Sequence, residues 1–247
     1  MRYLIHIFLK IIKDPKLLLD YKNYIIKIRF HLWPLLPKSI KNNVFLFDKK
    51  ISIENDTLNG RGLYSYREFK DIEERELIED QVSKNSICID IGSNIGFYTI
   101  FLLKKKIAKK VYSFEQNYKV FKLLCQNTKD LNCIQIQGRV GLQKDDIKVE
   151  DVIEKNDKID FIKIDIDGED FFALKNCEKI LKKYKPKILI EISESSLINQ
   201  GIDFLETIKF LNNIGYTCYY PNKILKEFKR KSLNKDEVMN IFCTIAS

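Results

Sequence analysis

From residue 87 onward, short apolar runs alternate with stretches that repeat an apolar residue every three or four positions. The first pattern predicts buried strands, the second helices packed against them. Strands are expected at Ile87–Ile91, Val111–Phe114, Ile134–Gln137, Phe161–Asp165 and Lys187–Ile192. Helices are expected at Ile95–Lys105, Lys119–Lys129, Phe171–Tyr184 and Phe204–Asn213. Such alternation implies an α/β fold, a doubly wound and mostly parallel sheet, here expected to have seven strands. Tyr216–Tyr220 and Val238–Ala246 follow without a full helix between them. They read as an antiparallel pair at the sheet edge.

The first third has a different pattern. Met1–Lys13 places polar residues at 2, 6, 10 and 13, which predicts a helix with one polar stripe. Leu17–Trp33 continues basic, aliphatic and aromatic until Pro34 and Pro37 close it. Two roles fit: a basic amphipathic anchor lying on an anionic membrane, or an arm packed on its own domain or on a second copy of the chain. The apolar stretch is too short and interrupted to span a bilayer. It also lacks the small-residue cleavage site of a signal peptide. Val44–Gly62 reads as short strands with an Asn59–Gly60 turn. Asp71–Val82 reads as an acidic amphipathic helix. The expected organisation is an N-terminal accessory segment, residues 1–60, followed by one ligand-binding domain, residues 61–247.

Composition narrows the chemistry. Hydrophobic residues make up 45% of the 247 positions, ample for a core, and the formal net charge is +9. That charge attracts polyanions without choosing among nucleic acid, lipid and acidic glycan. Six cysteines without a C-x-x-C spacing read as small buried residues of a reducing compartment. The expected location is the cytoplasm, or the inner face of a membrane if the N-terminal arm docks there. The two histidines, His6 and His31, lie outside the α/β region, so an imidazole base is available there only if the N-terminal segment folds over the site.

The run Ser86–Thr99, SICIDIGSNIGFYT, reads as strand, glycine turn and helix start. Gly92 and Gly96 let a ligand approach the backbone closely. A dinucleotide fingerprint needs G-x-G-x-x-G with a pyrophosphate on the helix N-terminus. Here Asp90 precedes two glycines four positions apart. That pattern suits a ligand without phosphates but with an amino-acid head and a cationic centre, and S-adenosylmethionine fits. Asp90 would position its ammonium, directly or through water. The next strand ends VYSFEQ, and its Glu115 can accept from both ribose hydroxyls. The expected cofactor set is Asp90, Gly92, Ser93, Asn94, Gly96, Glu115 and Gln116.

Ile159–Asp170, IDFIKIDIDGED, is the second signal. Lys163 and Asp165 point to one face of a strand. Asp165, Asp167, Glu169 and Asp170 crowd four acids where ligands bind in such sheets, beyond the strand's carboxyl end. Something cationic should sit among them: a sulfonium, Lys163, a basic substrate, or Mg²⁺ or Mn²⁺ held by Asp165, Asp167 and Glu169. Glu191, ending the next strand, is the expected partner of Lys163. A structural ion pair fits as well as a catalytic one.

Taken together, D-I-G-x-N-x-G-x-Y-T at Asp90–Thr99, F-E-x₅-F-x₂-L-x₂-N at Phe114–Asn127, the D-F-I-K-I-D run that opens Asp160–Glu169, and L-I-E-I at Leu189–Ile192 resemble the FkbM family of S-adenosylmethionine-dependent methyltransferases. Two departures stand out: the acid at Asp167 is short, and Gln116 replaces the usual proline. The resemblance implies methylation of a hydroxyl, commonly of a sugar in a glycan, glycolipid or glycosylated product. The proton acceptor is then Asp165, Glu169, Glu191, Lys163 or a metal-activated hydroxyl. The adenine-N6 motif N/D-P-P-Y/F is absent, so a nucleic-acid partner is not expected. RNA methylation, or a cofactor-binding scaffold docked on a membrane or partner, stands as the alternative.

Overall fold

A computed structural model describes residues 21–37, 41, 44–53, 58–222, 225–229, 234 and 237–245. The helix expected over Met1–Lys13 lies outside the described residues. The chain divides into two compact units, Met1–Ile72 and Glu73–Ser247.

In the first unit, helix α1 (Tyr21–Leu32) runs into a 3₁₀ turn at Trp33–Leu35. Strands β1 (Val44–Leu46) and β2 (Lys49–Ile51) form a hairpin pairing Val44 with Ile51. Its turn residues, Phe47 and Asp48, both have positive φ (49° and 62°), as a tight two-residue hairpin turn requires. The turn expected at Asn59–Gly60 is instead inside helix α2 (Leu58–Tyr66). Packing explains the difference. Arg61 Nε donates to Phe30 O at 2.7 Å and its guanidinium lies 3.6 Å from the Phe30 ring centre. Tyr64 packs on buried Trp33 at 4.9 Å between ring centres. These contacts outweigh the roughly 1 kcal/mol that a glycine costs a helix. They also place α2 with the first unit, so the division falls after residue 60.

The second unit is built on an eight-stranded sheet ordered β5-β4-β3-β6-β7-β10-β8-β9. Its strands are β3 (Ser86–Ile91), β4 (Ala108–Glu115), β5 (Cys133–Gln137), β6 (Phe161–Ile164), β7 (Lys187–Ser193), β8 (Tyr216–Tyr220), β9 (Lys226–Glu227) and β10 (Val238–Ile245). The first five in spatial order are parallel, and every position of β3 and β6 is buried. Burial on both faces is why these strands read as continuous apolar runs. The count is eight rather than seven because the short β9 pairs with β8 and forms the edge. The antiparallel pair is present, but β10 is interior: it inserts between β7 and β8.

Helix α3 (Ile72–Gln81) is the acidic helix of the pattern. α4 (Phe97–Lys104) and α5 (Tyr118–Thr128) follow β3 and β4, and the single turn α6 (Val149–Val152) precedes β6. The expected helix over Phe171–Tyr184 is two pieces, α7 (Asp170–Asn176) and α8 (Glu178–Tyr184). The break coincides with Asn176, whose side chain donates to Gly141 O and Ile147 O and accepts from Val149 N. α9 (Glu194–Asn199) and α10 (Phe204–Asn213) complete the layers. Asp203 and Glu206 close a capping box at the start of α10. Among the described residues no helix is long and apolar enough to cross a membrane.

Candidate functional site

The carboxyl ends of β3, β4, β6 and β7 lie side by side in the sheet. Between β3 and α4 the chain turns through Gly92 (φ +81°), Asn94 (φ +51°) and Gly96 (φ +99°). A Cβ on Gly92 would lie 1.8 Å from Asp165 O, so only glycine lets the ends of β3 and β6 approach. The loop's N–H groups are spent inside the protein. Gly92 and Ser93 donate to Phe114 O, Asn94 to Glu115 Oε2, Ile95 to Asn94 Oδ1, and Gly96 to Ser93 O. A phosphate would need those donors, so the turn suits a ligand without one.

Asp90 sits beneath this loop, 2% exposed, and accepts from Thr99 Oγ1 at 2.6 Å. Thr99 shares a 2.7 Å hydrogen bond with Ser113. Burial pushes the Asp90 carboxyl up to about 6, against the opposing pull of Thr99 and Lys163. So deep a carboxylate would reach a ligand only through the loop or through water. At the tip of β4, Glu115 takes Asn117 N on Oε1 at 2.7 Å and Asn94 N on Oε2 at 3.0 Å. Each oxygen keeps capacity for a second donor, as a ribose diol requires. Burial raises its proton affinity too. Gln116 contributes its carbonyl, which holds Gln137 Nε2 at 3.0 Å.

Lys163, from β6, is 1% exposed. Its Nζ donates to Asp165 Oδ2 and Ile164 O, each at 3.2 Å, and to Asn240 Oδ1 at 3.5 Å. The direct ion-pair partner is therefore Asp165 and not Glu191, which the strand order had suggested. Glu191 feels Lys163 only as a neighbouring charge. Burial first, then Asp165, pushes Glu191 up to about 7. Asp170 is capped by Ile166 N and Gly168 N, which folds the Asp165–Gly168 loop around it. Carboxylate oxygens of Asp165, Asp167 and Glu191 come within 4.8 Å of one another. Those three would hold an oxygen-preferring cation such as Mg²⁺ or Mn²⁺. Glu169, expected in that set and as a base, is drawn elsewhere: Arg139 Nη1 donates to both its oxygens at 3.0 and 3.2 Å. Arg139 also forks onto Asp146 at 2.8 and 3.1 Å.

Residues 128–218 match the methyltransferase FkbM domain. A curated relative, the tRNA(Phe) (4-demethylwyosine(37)-C(7)) aminocarboxypropyltransferase of Methanocaldococcus jannaschii, is 31% identical over 84 residues, 34% of this chain. The chain spans about a third of that relative's length, 33%. Among solved structures, a TehB-like S-adenosylmethionine-dependent methyltransferase from Corynebacterium glutamicum superposes with a TM-score of 0.49 at 16% identity, covering 71% of this chain and 89% of that one. A precorrin-6y C5,15-methyltransferase from Geobacter metallireducens gives 0.48 at 13% identity, covering 73% and 88%.

The FkbM match takes in Lys163, the acid cluster and Glu191, whereas the loops bearing Asp90 and Glu115 lie before it. Three residues that sequence reading passed over complete the site. Thr99 and Ser113 fix Asp90, and Ser113 is signalled only by being a small polar residue in an apolar strand. Asn240 stands in register opposite Glu191, yet it is 49 positions away, on β10.

The buried acids of this site predict a pH dependence. Asp90 and Asp170, each raised to about 6, and Glu191, raised to about 7, bind protons more tightly folded than unfolded. Stability therefore falls as pH rises through the window from about 4 to 7. Urea unfolding is expected to give a free energy a few kcal/mol lower at pH 8 than at pH 5. Glu191→Gln is expected to shallow that slope. A flat profile would contradict the burial of these acids.

Proposed function

We propose that this chain is an S-adenosylmethionine-dependent O-methyltransferase acting on a hydroxyl of a sugar, in a glycan, glycolipid or small glycosylated product. What carries the reading is the pairing of two strand tips. One is a glycine turn with its N–H groups already satisfied, and the other is Glu115, braced by two backbone donors. The adjoining tips of β6 and β7 then bear three carboxylates against one buried ammonium. An excess of negative charge there favours a cationic centre.

The cofactor would supply an electrophilic methyl group on a sulfonium. Glu115 would bind the ribose hydroxyls, and Asp90 would orient the amino-acid head from below. Methyl transfer to a hydroxyl would be an in-line displacement, the acceptor oxygen bonding to the methyl carbon with the cofactor's sulfur as leaving group. The chain must hold that oxygen about 3–3.5 Å from the carbon, in line. The hydroxyl proton passes to a carboxylate. Glu191, with its affinity near neutral pH, suits that task, with Asp165 fixed beside it by Lys163. Arg139 occupies Glu169, which makes Glu169 the weaker candidate.

Calorimetry with S-adenosylmethionine tests the cofactor half. The wild type should bind. Glu115→Ala leaves Asn94 and Asn117 N–H groups unpaired and removes the ribose acceptor, so it should bind about 30- to 100-fold more weakly, roughly 2–3 kcal/mol. Equal affinities would sink the ribose assignment. Transfer of a labelled methyl group to sugar acceptors tests the other half. The runner-up is an RNA acceptor, motivated by the +9 charge and by a relative named for a tRNA. Steeply salt-dependent RNA binding, with methyl transfer to RNA and none to sugars, would favour it.

A further inference from the structure

We propose that Asn240 is a positioning residue for methyl transfer: its amide holds the Lys163 ammonium against Asp165, beside Glu191. The proposal rests on the methyl-transfer reading above. Lys163 is fully buried on β6, and three oxygens surround its Nζ: Asp165 Oδ2, Ile164 O and Asn240 Oδ1. The Tyr98 ring, centred 5.3 Å away, walls another side. Of the three oxygens only the amide comes from β10, the antiparallel strand inserted beside β7.

Asn240 is itself aimed. Its Nδ2 donates to Glu74 Oε1 at 3.3 Å, which fixes the amide so that its oxygen faces the lysine. Its backbone is in register with Glu191. An uncharged side chain here matters electrostatically. Asp90, Asp165, Asp167, Asp170 and Glu191 all act on one another or on Lys163, and Glu74 holds the far side of the amide. A carboxylate at 240 would compete with Asp165 for Lys163 and add a like charge beside Glu191. An aliphatic residue would leave the ammonium one acceptor short. An amide avoids both faults: it orients the lysine without neutralising it, so that charge remains directed at Asp165 and Glu191.

Two variants of the full chain test this. Nitrogen-detected NMR follows the Lys163 ammonium, assigned through Lys163→Met. Asn240→Leu should speed hydrogen exchange at Lys163 Nζ at least tenfold while the backbone amide spectrum stays that of the wild type. Asn240→Asp, which keeps an oxygen facing the lysine, should leave that exchange slow. If Asn240→Leu shifts only the melting temperature and leaves Lys163 exchange unchanged, Asn240 is a packing residue and the proposal falls. Calorimetry with S-adenosylmethionine on the wild type separates the two levels. The exchange effect without cofactor binding would overturn the methyl-transfer role, while the Asn240–Lys163 linkage itself stood.

Discussion

Gly92→Ala is expected to cost the fold about 4 kcal/mol, lowering the melting temperature by about 10 °C, and, on the proposed function, to abolish binding of S-adenosylmethionine. Two penalties coincide at this position. The backbone has φ +81°, where an L side chain is strained by roughly 1–2 kcal/mol. The added methyl would also lie 1.8 Å from Asp165 O and 2.6 Å from its carbonyl carbon. These are main-chain atoms at the end of β6, so no rotamer change relieves the contact. The ends of β3 and β6 must separate, carrying the glycine turn away from the acid cluster. Gly201 is the internal control. Its φ is +69°, but nothing lies within 4 Å of a Cβ there. Gly201→Ala should therefore show the strain alone, about 1 kcal/mol. Thermal melts of both variants decide the matter, and equal losses would mean that the close approach carries no energetic weight.

Lys163→Met is expected to have the second-largest effect, a loss of about 3 kcal/mol at neutral pH. Methionine fills similar volume, so the loss is mainly electrostatic. Asp165 would lose its ion-pair partner, and Asp90 and Glu191 the positive charge that moderates them. The deficit should depend on pH in a definite direction. Removing the cation raises the proton affinity of Asp90 and Glu191 further. Above pH 7 these acids are ionised and the variant carries uncompensated buried charge, so its deficit is greatest. Below about pH 5 they are protonated and the deficit should shrink toward zero. Urea unfolding of wild type and variant at pH 5, 6.5 and 8 reads this out. A deficit independent of pH would mark Lys163 as a packing residue alone.

Much of the fold was legible because its rules are local. Strands buried on both faces need unbroken apolar runs, and β3 and β6 show them. The turn after β3 announces itself through glycines that the geometry requires, and Glu115 through its place at a strand tip. Where local signals competed with packing, packing decided. Asn59–Gly60 is a strong turn signal, yet it is helical because Arg61 and Tyr64 on the same helix grip Phe30 and Trp33. Cys177 interrupts an otherwise continuous helical pattern next to Asn176, which is drawn onto Gly141, Ile147 and Val149.

In the site, residue types could be read but their pairings could not. Four acids after an apolar strand point to a polar strand end, and a lone lysine in that strand demands a partner. Which acid answers it depends on side-chain paths across neighbouring strands. Here Lys163 reaches Asp165 directly, Arg139 removes Glu169 from the cluster, and Glu191 takes its place beside Asp167. The strand–helix alternation, the glycine turn and the carboxylates at the strand tips follow from periodicity and backbone sterics within a few residues. Which charges touch is set by packing across the sheet, which brings Asn240 to Lys163 from 77 positions away, because the insertion of β10 between β7 and β8 is a long-range arrangement that no local pattern encodes.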